Sequence, residues 1–282
     1  MTHSINSGSA SANPLGPIST LDTRLLIGVE YSRIYEFPQI YEYLYIKNDS
    51  YISDYSMEPR TADILKAVVG EFIRSGEPIS SDWLYDNYDF GIKPAMIRLE
   101  LGDLTDTGFL LQPHTAAGRV PSDRGYEFYA HSALMDDAPR CEPELLTLFR
   151  ERAWPEFLSE FSDELDILGA ASVFPERVVY KSMLANFVDH LDWPTAELRS
   201  LIHDFDSLDE RLEKIRNTLH NDVQVFIGRK SPVTKSENLA VMTGTYDLNG
   251  QKIFVCAIGP KRMDYKKTAR VMKGLKKATK DN

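Results

Sequence analysis

Residues 110–129, Leu-Leu-Gln-Pro-His-Thr-Ala-Ala-Gly-Arg-Val-Pro-Ser-Asp-Arg-Gly-Tyr-Glu-Phe-Tyr, restrict the fold of this chain more than any other stretch. Two short apolar runs flank a Gly/Pro-rich tip, the pattern of a two-stranded hairpin. A helix start follows at once at Pro121-Ser122-Asp123. The Ser122 hydroxyl is placed to accept from backbone N–H groups of the first turn, and Asp123 suits the positive end of the helix dipole.

Three short amphipathic helices are expected upstream. From Pro59 to Ser75, Ile64, Val68 and Phe72 recur every four residues, with Leu65, Val69 and Ile73 beside them. That is one broad helical stripe, with Pro59 suited to its first turn and Gly76 to its end. Ser80-Ser81-Asp82 caps a second, short helix that carries Leu84 and stops near Tyr88. Pro94 opens a third, running to about Thr107 and ended by Gly108. At 100° per residue, Ile97, Leu101 and Leu104 share its inner side. Ala95, Leu99, Gly102 and Asp106 share the outer side, flanked by Arg98 on one edge and by Met96 and Asp103 on the other. Three helices followed by a two-stranded flap make a winged helix-turn-helix, in which the third helix enters a DNA major groove.

The charge distribution cuts against a strong nucleic-acid binder. The chain carries a net charge of −10, and residues 57–135 hold 7 basic against 12 acidic groups. Phosphate neutralisation needs Lys and Arg, so this unit implies weak non-specific affinity or a localised positive face. Residues 136–222 are more acidic still, with 20 acidic and 9 basic groups, whereas 259–282 hold 9 basic and 2 acidic. No apolar run approaches the roughly 18 residues of a membrane span. The first residues lack the basic-then-apolar order of a signal peptide, so a cytoplasmic protein is expected.

Four segments are expected. Residues 1–56 read as an extension: Ser, Gly, Asn and Pro dominate 1–20, and seven of fourteen tyrosines fall between Tyr31 and Tyr55. Residues 40–47 have the composition of a strand. Met57 stands directly before the first patterned helix, so 1–56 are either a translated leader ahead of the true start or an arm strapped onto the domain. Residues 57–135 form the winged helix. Residues 136–222 read as an acidic helical connector or dimerisation region, with a clear helical stripe from Thr195 to Leu219. In 223–282, Val223 to Gly228 reads as a strand. Leu239 to Leu248 and Gln251 to Ile258 form a hairpin across Asn249-Gly250, a pair suited to a type I′ turn. A basic helix from Asp264 to Lys280 follows, so the fold class is α+β.

Catalytic and metal chemistry find no support in these residues. Two cysteines, Cys141 and Cys256, stand alone, and the loosely grouped His190, His203 and His220 have no ligand spacing. Asp204, Asp206, Asp209 and Glu210 resemble a calcium loop only superficially, because Phe205 and Leu208 between them fit a buried helical stripe. No nucleophile elbow, Walker loop or dinucleotide fingerprint occurs. No cofactor is expected.

The segment from Met57 to Leu134 resembles the DNA-binding domain of the HrcA family of heat-inducible transcription repressors. The carriers are residues 76–79 (Gly-Glu-Pro-Ile), Arg98, residues 104–110 (Leu-Thr-Asp-Thr-Gly-Phe-Leu), and above all 112–126, from Gln112 through Gly118, Arg119 and Gly125 to Tyr126. A second block is similar to the family in 223–228, 244–246 and 258–265. The resemblance implies an N-terminal winged helix-turn-helix followed by a GAF-like α+β domain carrying an inserted dimerisation region. It further implies a homodimer on an inverted-repeat operator in double-stranded DNA upstream of chaperone genes, and activity linked to a GroEL-type chaperonin. From Met57 the chain is shorter than usual members, with the deficit between about 135 and 170, which implies a reduced GAF-like domain. The third helix has Met96 and Leu99 where the family usually has polar residues, and Glu127 replaces a usual basic residue.

The candidate DNA contacts are Lys93, Ala95, Met96, Arg98, Leu99 and Gly102 on the third helix, and His114, Thr115, Arg119 and Arg124 on or after the wing. Arg98 can take a guanine edge or a phosphate, or pair with a carboxylate of its own or the second helix. Lys93 at the helix start can meet a phosphate or stay solvated. Arg119 can follow the DNA backbone or fix the wing. Leu99 offers only apolar contact, for instance to a thymine methyl. The basic run from Lys261 to Lys280 can be a solvated face, or touch DNA, anionic lipid or an acidic chaperonin surface. Two functions stay open. One is an operator-binding repressor, favoured by the wing motif. The other is a protein-interaction module acting on chaperonin, favoured by Met96 and Leu99.

Overall fold

The computed structural model describes residues 57–114, 117–136, 138–176, 178–189, 193–215 and 222–280, and those from Met57 onward belong to one compact unit. The expectations placed on residues 1–56, on Thr115 and on His190 and His220 lie outside the described residues.

The chain enters through α1 (Pro59–Ser75), with Ile64, Leu65, Val68 and Val69 fully buried. Gly76 ends it at φ 74°, in the left-handed region that glycine adopts without a Cβ penalty, and its N–H donates to Phe72 O at 2.9 Å. Helix α2 (Ser81–Asn87) begins where the Ser80 hydroxyl accepts from the Trp83 N–H at 3.1 Å. Helix α3 (Pro94–Asp106) has Lys93 at its cap position and buries Ile97, Leu101 and Leu104, the inner side that the 3.6-residue period predicts. Strands β1 (Leu110–Leu111) and β2 (Val120–Pro121) pair antiparallel, Leu110 with Pro121 and Leu111 with Val120. Helix α4 (Asp123–Asp136) follows immediately.

Beyond it lie α5 (Pro143–Arg150), α6 (Trp154–Leu165), β3 (Leu168–Val173), β4 (Val178–Lys181), α7 (Leu184–Asp189), α8 (Thr195–Asp206) and α9 (Leu208–Ile215). Strand β5 (Gln224–Ile227), a 3-10 turn at Gly228–Lys230, β6 (Leu239–Leu248), β7 (Gln251–Pro260) and α10 (Tyr265–Lys280) complete the chain. The five long-range strands form one antiparallel sheet in the order β4-β3-β7-β6-β5. Asn249 and Gly250 turn the β6–β7 hairpin at φ 54° and 80°, the positive values a type I′ turn demands.

The sheet is covered on both faces. Leu168, Ala170, Val241, Phe254, Cys256 and Ile258 point to one side, where Phe187, Leu201, Phe205, Leu208 and Leu212 of α7 to α9 meet them. On the other side the Tyr246 ring packs edge-on against Phe149 of α5, and its hydroxyl donates to Met272 O of α10 at 3.1 Å. Each such fully buried apolar side chain contributes about 1.5–3 kcal/mol. A helix–sheet–helix layering results.

The expectation of helix throughout residues 136–222 is corrected here, because β3 and β4 lie inside it. Strand β3 is buried at all six positions, since helices cover both its faces. It therefore lacks the alternation that marks a half-buried strand. The stripe from Thr195 breaks into two helices at Ser207. Asp204, part of the superficially calcium-like group, is buried and structural. Its carboxylate pairs with Arg211 at 2.5 Å and accepts the backbone N–H groups of Lys235 and Ser236 at 2.7 and 3.2 Å.

Two outcomes follow for stability. Asp204→Ala leaves the half-buried Arg211 without its carboxylate and the Lys235 and Ser236 N–H groups without their acceptor, and should cost about 2–4 kcal/mol in urea unfolding, against less than about 0.5 kcal/mol for the exposed Asp206→Ala. His131, largely buried on α4, titrates at about 4, below its ordinary 6.5, because burial disfavours the imidazolium and Lys230 repels it. The unfolded chain thus binds this proton at higher pH than the folded one. The contribution is complete above pH 6.5 and lost as pH falls towards 4. The urea midpoint should drop more between pH 7.5 and 5 in the natural chain than in His131→Asn.

Candidate nucleic-acid interface

The outward side of α3 is built by what its inward side buries. With Ile97, Leu101 and Leu104 held in the core, Ala95, Met96, Arg98 and Leu99 are left exposed and Gly102 half-exposed. Leu99 is 61% and Met96 45% accessible, an apolar patch in the middle of the face. Lys93 stands exposed at the N-terminal end of α3, at the positive end of the helix dipole. The Arg98 guanidinium lies 3.7 Å from the Asp82 carboxylate of α2, and both side chains are about two-thirds or more in solvent. A pair this exposed is worth little, so Arg98 is available to a competing anion. Asp103 and Asp106 are exposed further along, so the positive charge is confined to the first turns.

The hairpin is fastened to this helical unit by a third strand-like segment. Ile79 and Arg119 exchange backbone hydrogen bonds, Ile79 N–H to Arg119 O at 2.9 Å and Arg119 N–H to Ile79 O at 2.7 Å. Gly118 is needed for this approach. A Cβ there would sit 2.5 Å from the backbone carbon and oxygen of Ile79. Arg119 Nε also donates to Thr105 Oγ1 of α3 at 2.9 Å, which ties the returning strand to that helix.

The base of the hairpin is equally tight. The Ser122 hydroxyl donates towards Gly108 O at 2.6 Å and accepts from the Gly125 N–H at 3.1 Å, so it caps α4 as the sequence suggests. A Cβ on Gly125 would meet Phe109 O at 2.3 Å. Arg124 donates to Thr107 O at 2.7 Å, beside the α3 C-terminus, and lies 4.2 Å from the centre of the Phe109 ring. His114 is exposed at the hairpin tip. The structure therefore brings Lys93, Ala95, Met96, Arg98, Leu99 and Gly102 onto one helix. His114 lies apart on the hairpin, and the Arg119 and Arg124 guanidinium groups face protein partners.

Helix α4 connects this unit to the sheet layer. Asp123 pairs with Lys261 at 2.5 Å and Glu127 with Lys230 at 2.7 Å. The rings of Tyr126 and Tyr129 each stand 6.3 Å from that of Tyr265, with Tyr265 fully buried. Arg262 lies 5.8 Å over the Phe72 ring and close against Gly76. These partners are more than a hundred residues apart in sequence, so no local pattern announces them. The unusual Glu127 is explained by Lys230 opposite it.

Among the described residues, no group of three or more His, Cys, Asp or Glu side chains is placed to hold a metal ion. No described helix is long and apolar enough to cross a membrane.

A glycine pair tests the hairpin joint. Gly118→Ala forces a Cβ into the Ile79 backbone and should lower stability by about 1–3 kcal/mol in urea unfolding. At Gly102, by contrast, an added Cβ meets nothing within 4 Å. Gly102→Ala should raise stability by about 0.5–1 kcal/mol, the ordinary gain of replacing a helical glycine.

Residues 139–269 match the model of the HrcA protein C-terminal domain. The heat-inducible transcription repressor HrcA of Desulforudis audaxviator is 38% identical over 104 residues, 37% of this chain and 30% of that protein. HrcA of Natranaerobius thermophilus is 47% identical over 79 residues, 28% of this chain and 23% of that protein. That of Caldanaerobacter subterraneus is 34% identical over 131 residues, 43% of this chain and 38% of that protein. The matches thus span well under half the length of these curated relatives. A crystal structure of a hypothetical protein at 2.2 Å resolution superimposes with a TM-score of 0.64 at 16% identity, over 80% of this chain and 98% of that one, and shows the shared fold.

Proposed function

We propose, from the match of residues 139–269 to the HrcA C-terminal domain, that the chain is a sequence-specific DNA-binding repressor of heat-shock genes. In this reading α1 to α3 with the β1–β2 hairpin are a winged helix-turn-helix, and the sheet layer beyond α4 is a reduced GAF-like domain. The observation that carries it is the exposed N-terminal half of α3 on a unit whose hairpin is locked to the same helix. A groove-reading helix needs such a rigid mount, because base contacts are made at its N-terminal residues.

The roles divide by availability. Lys93 meets a phosphate at the helix N-terminus, and Arg98 leaves its exposed partner for a guanine edge or a phosphate. Ala95, Leu99 and Gly102 permit close approach and contact thymine methyls, while Met96 borders them. His114 contacts the flanking DNA backbone, and Thr115 is assigned to the same contact by the resemblance alone. Arg119 and Arg124 position the wing and α4 by the bonds they already make.

Few cations face the DNA, so one copy binds weakly. Two copies on an inverted repeat gain affinity through effective concentration, which makes a homodimer the working form. Resemblance to the family supports that operator form and a link to a GroEL-type chaperonin in the cytoplasm.

A second reading rests on Leu99 and Met96, whose exposure suits a protein partner as well as DNA. In it the chain is a chaperonin-binding module without an operator.

Fluorescence anisotropy on DNA from upstream of chaperone operons separates the two. The repressor reading predicts saturable binding to an inverted repeat, weakened about tenfold by Arg98→Ala, consistent with about 1–3 kcal/mol for a good base contact. Lys93→Ala should lower the salt slope by about one unit per half-site. Binding that ignores sequence, alongside chaperonin capture lost in Leu99→Asp, would select the second reading.

A further inference from the structure

The two edges of the five-stranded sheet differ. Helix α4 packs along β5 at one end. At the other end β4 pairs with β3 alone, and among the described residues no further strand follows it. Its sequence, Val178-Val179-Tyr180-Lys181, is rich in residues that favour strands. We propose that β4 is the contact between two copies of this chain, paired antiparallel about a two-fold axis at Tyr180. The proposal rests on the repressor reading for its purpose, since that reading requires two copies without saying where they meet.

The ladder itself fixes which backbone groups are free. The β3–β4 register places Ser182 opposite Gly169, and the Ser182 N–H donates to Gly169 O at 2.9 Å. Hydrogen-bonded pairs alternate along an antiparallel ladder, so Tyr180 and Val178 turn their N–H and C=O groups to β3. Those of Val179 and Lys181 point outward. None of these four outward groups has a hydrogen-bond partner among the described residues. With Tyr180 set opposite Tyr180 of a second copy, Val179 of each strand faces Lys181 of the other. That register bonds all four groups on both strands and opposes no like charges. An isologous contact requires such self-complementarity.

Natural sheet edges are commonly guarded by a charge, a proline or a bulge. Here the Lys181 ammonium is drawn onto one face of the sheet, 3.1 Å from the Asp209 carboxylate. Glu176, just before the strand, accepts from the Gln251 amide at 2.8 Å. Val179 packs against the core under α7 to α9, whereas the Tyr180 ring stands 6.3 Å from that of Trp154 on the opposite face. Successive side chains thus go to the two faces rather than across the edge. Val178 and Met183, 42% and 73% accessible, add apolar surface beside it. A contact built on so short a strand buries less than the about 1,200 Å² of a standard interface, so it is weak until two half-sites hold both copies.

Cysteine cross-linking of the full chain, free and on an inverted-repeat duplex, tests this. In Tyr180→Cys the two thiols face each other across the axis, and an oxidised dimer is expected on denaturing gels. In Val178→Cys they lie about 13 Å apart along the strands, too far for a disulfide, so cross-linking should not exceed that of the natural chain with its Cys141 and Cys256. Sedimentation velocity over a concentration series gives a second readout. Val179→Pro removes an outward N–H that β3 does not use, and should raise the dimer Kd at least about tenfold while single half-site binding stays unchanged. A dimer Kd unaltered in Val179→Pro would overturn the proposal. So would Tyr180→Cys cross-linking no better than Val178→Cys, both free and on DNA. If the natural chain binds no half-site yet Tyr180→Cys still cross-links, the repressor reading fails and the β4 contact is supported.

Discussion

Helix α4 is the element on which the rest of the unit depends, because it serves both halves with different edges. Its first turn closes the hairpin through Ser122 and Gly125, and Arg124 reaches back to Thr107 beside the α3 C-terminus. Its other side presents Asp123, Tyr126, Glu127 and Tyr129 to Lys261, Lys230 and Tyr265 of the sheet layer. The two ion pairs are partly exposed, so each adds at most about 1 kcal/mol. The tyrosines carry more, since Tyr265 is wholly buried and Tyr126 and Tyr129 nearly so. A rotation of the helical unit on the sheet layer must break this cluster.

That double duty accounts for the most informative stretch of the sequence. Residues 112–126 look like a nucleic-acid motif by resemblance, yet most of their specificity is spent inside the protein. Gly118 and Gly125 admit backbone that a Cβ would exclude, and Arg119 pairs with Ile79 and Thr105. What such a motif secures is the angle between hairpin and α3. In the proposed repressor the groove-facing chemistry then falls on few side chains of α3, consistent with a helical unit that is acidic in total.

Legibility in the sequence followed the range of the governing interaction. Helices α1 to α3, the β6–β7 hairpin and α10 were readable because caps, a 3.6-residue period and the Asn249-Gly250 turn are local signals. Strand β3 was not, since burial on both faces removes alternation and leaves a run of small residues, Gly169-Ala170-Ala171-Ser172, without a period. Asp204 passed for one carboxylate among several, because its partners Arg211 and the Lys235 N–H are set by the folding of α9 and the loop before β6. For the candidate interface, the face of α3 was fully readable from its angular spacing. Which of its arginines would be occupied by protein partners was not, because Thr105 and Thr107 become neighbours of Arg119 and Arg124 only once the hairpin folds back.

The central claim is a division of labour, with α3 facing the DNA and the wing motif holding α3 in place. A crystal structure of the protein on a duplex carrying the inverted repeat tests it most directly. The account predicts Lys93 and Arg98 within hydrogen-bonding distance of the duplex, with Arg119 still on Thr105 and Arg124 still on Thr107. A complex in which Arg119 and Arg124 have left those partners for phosphates, with α3 turned away from the groove, would contradict it.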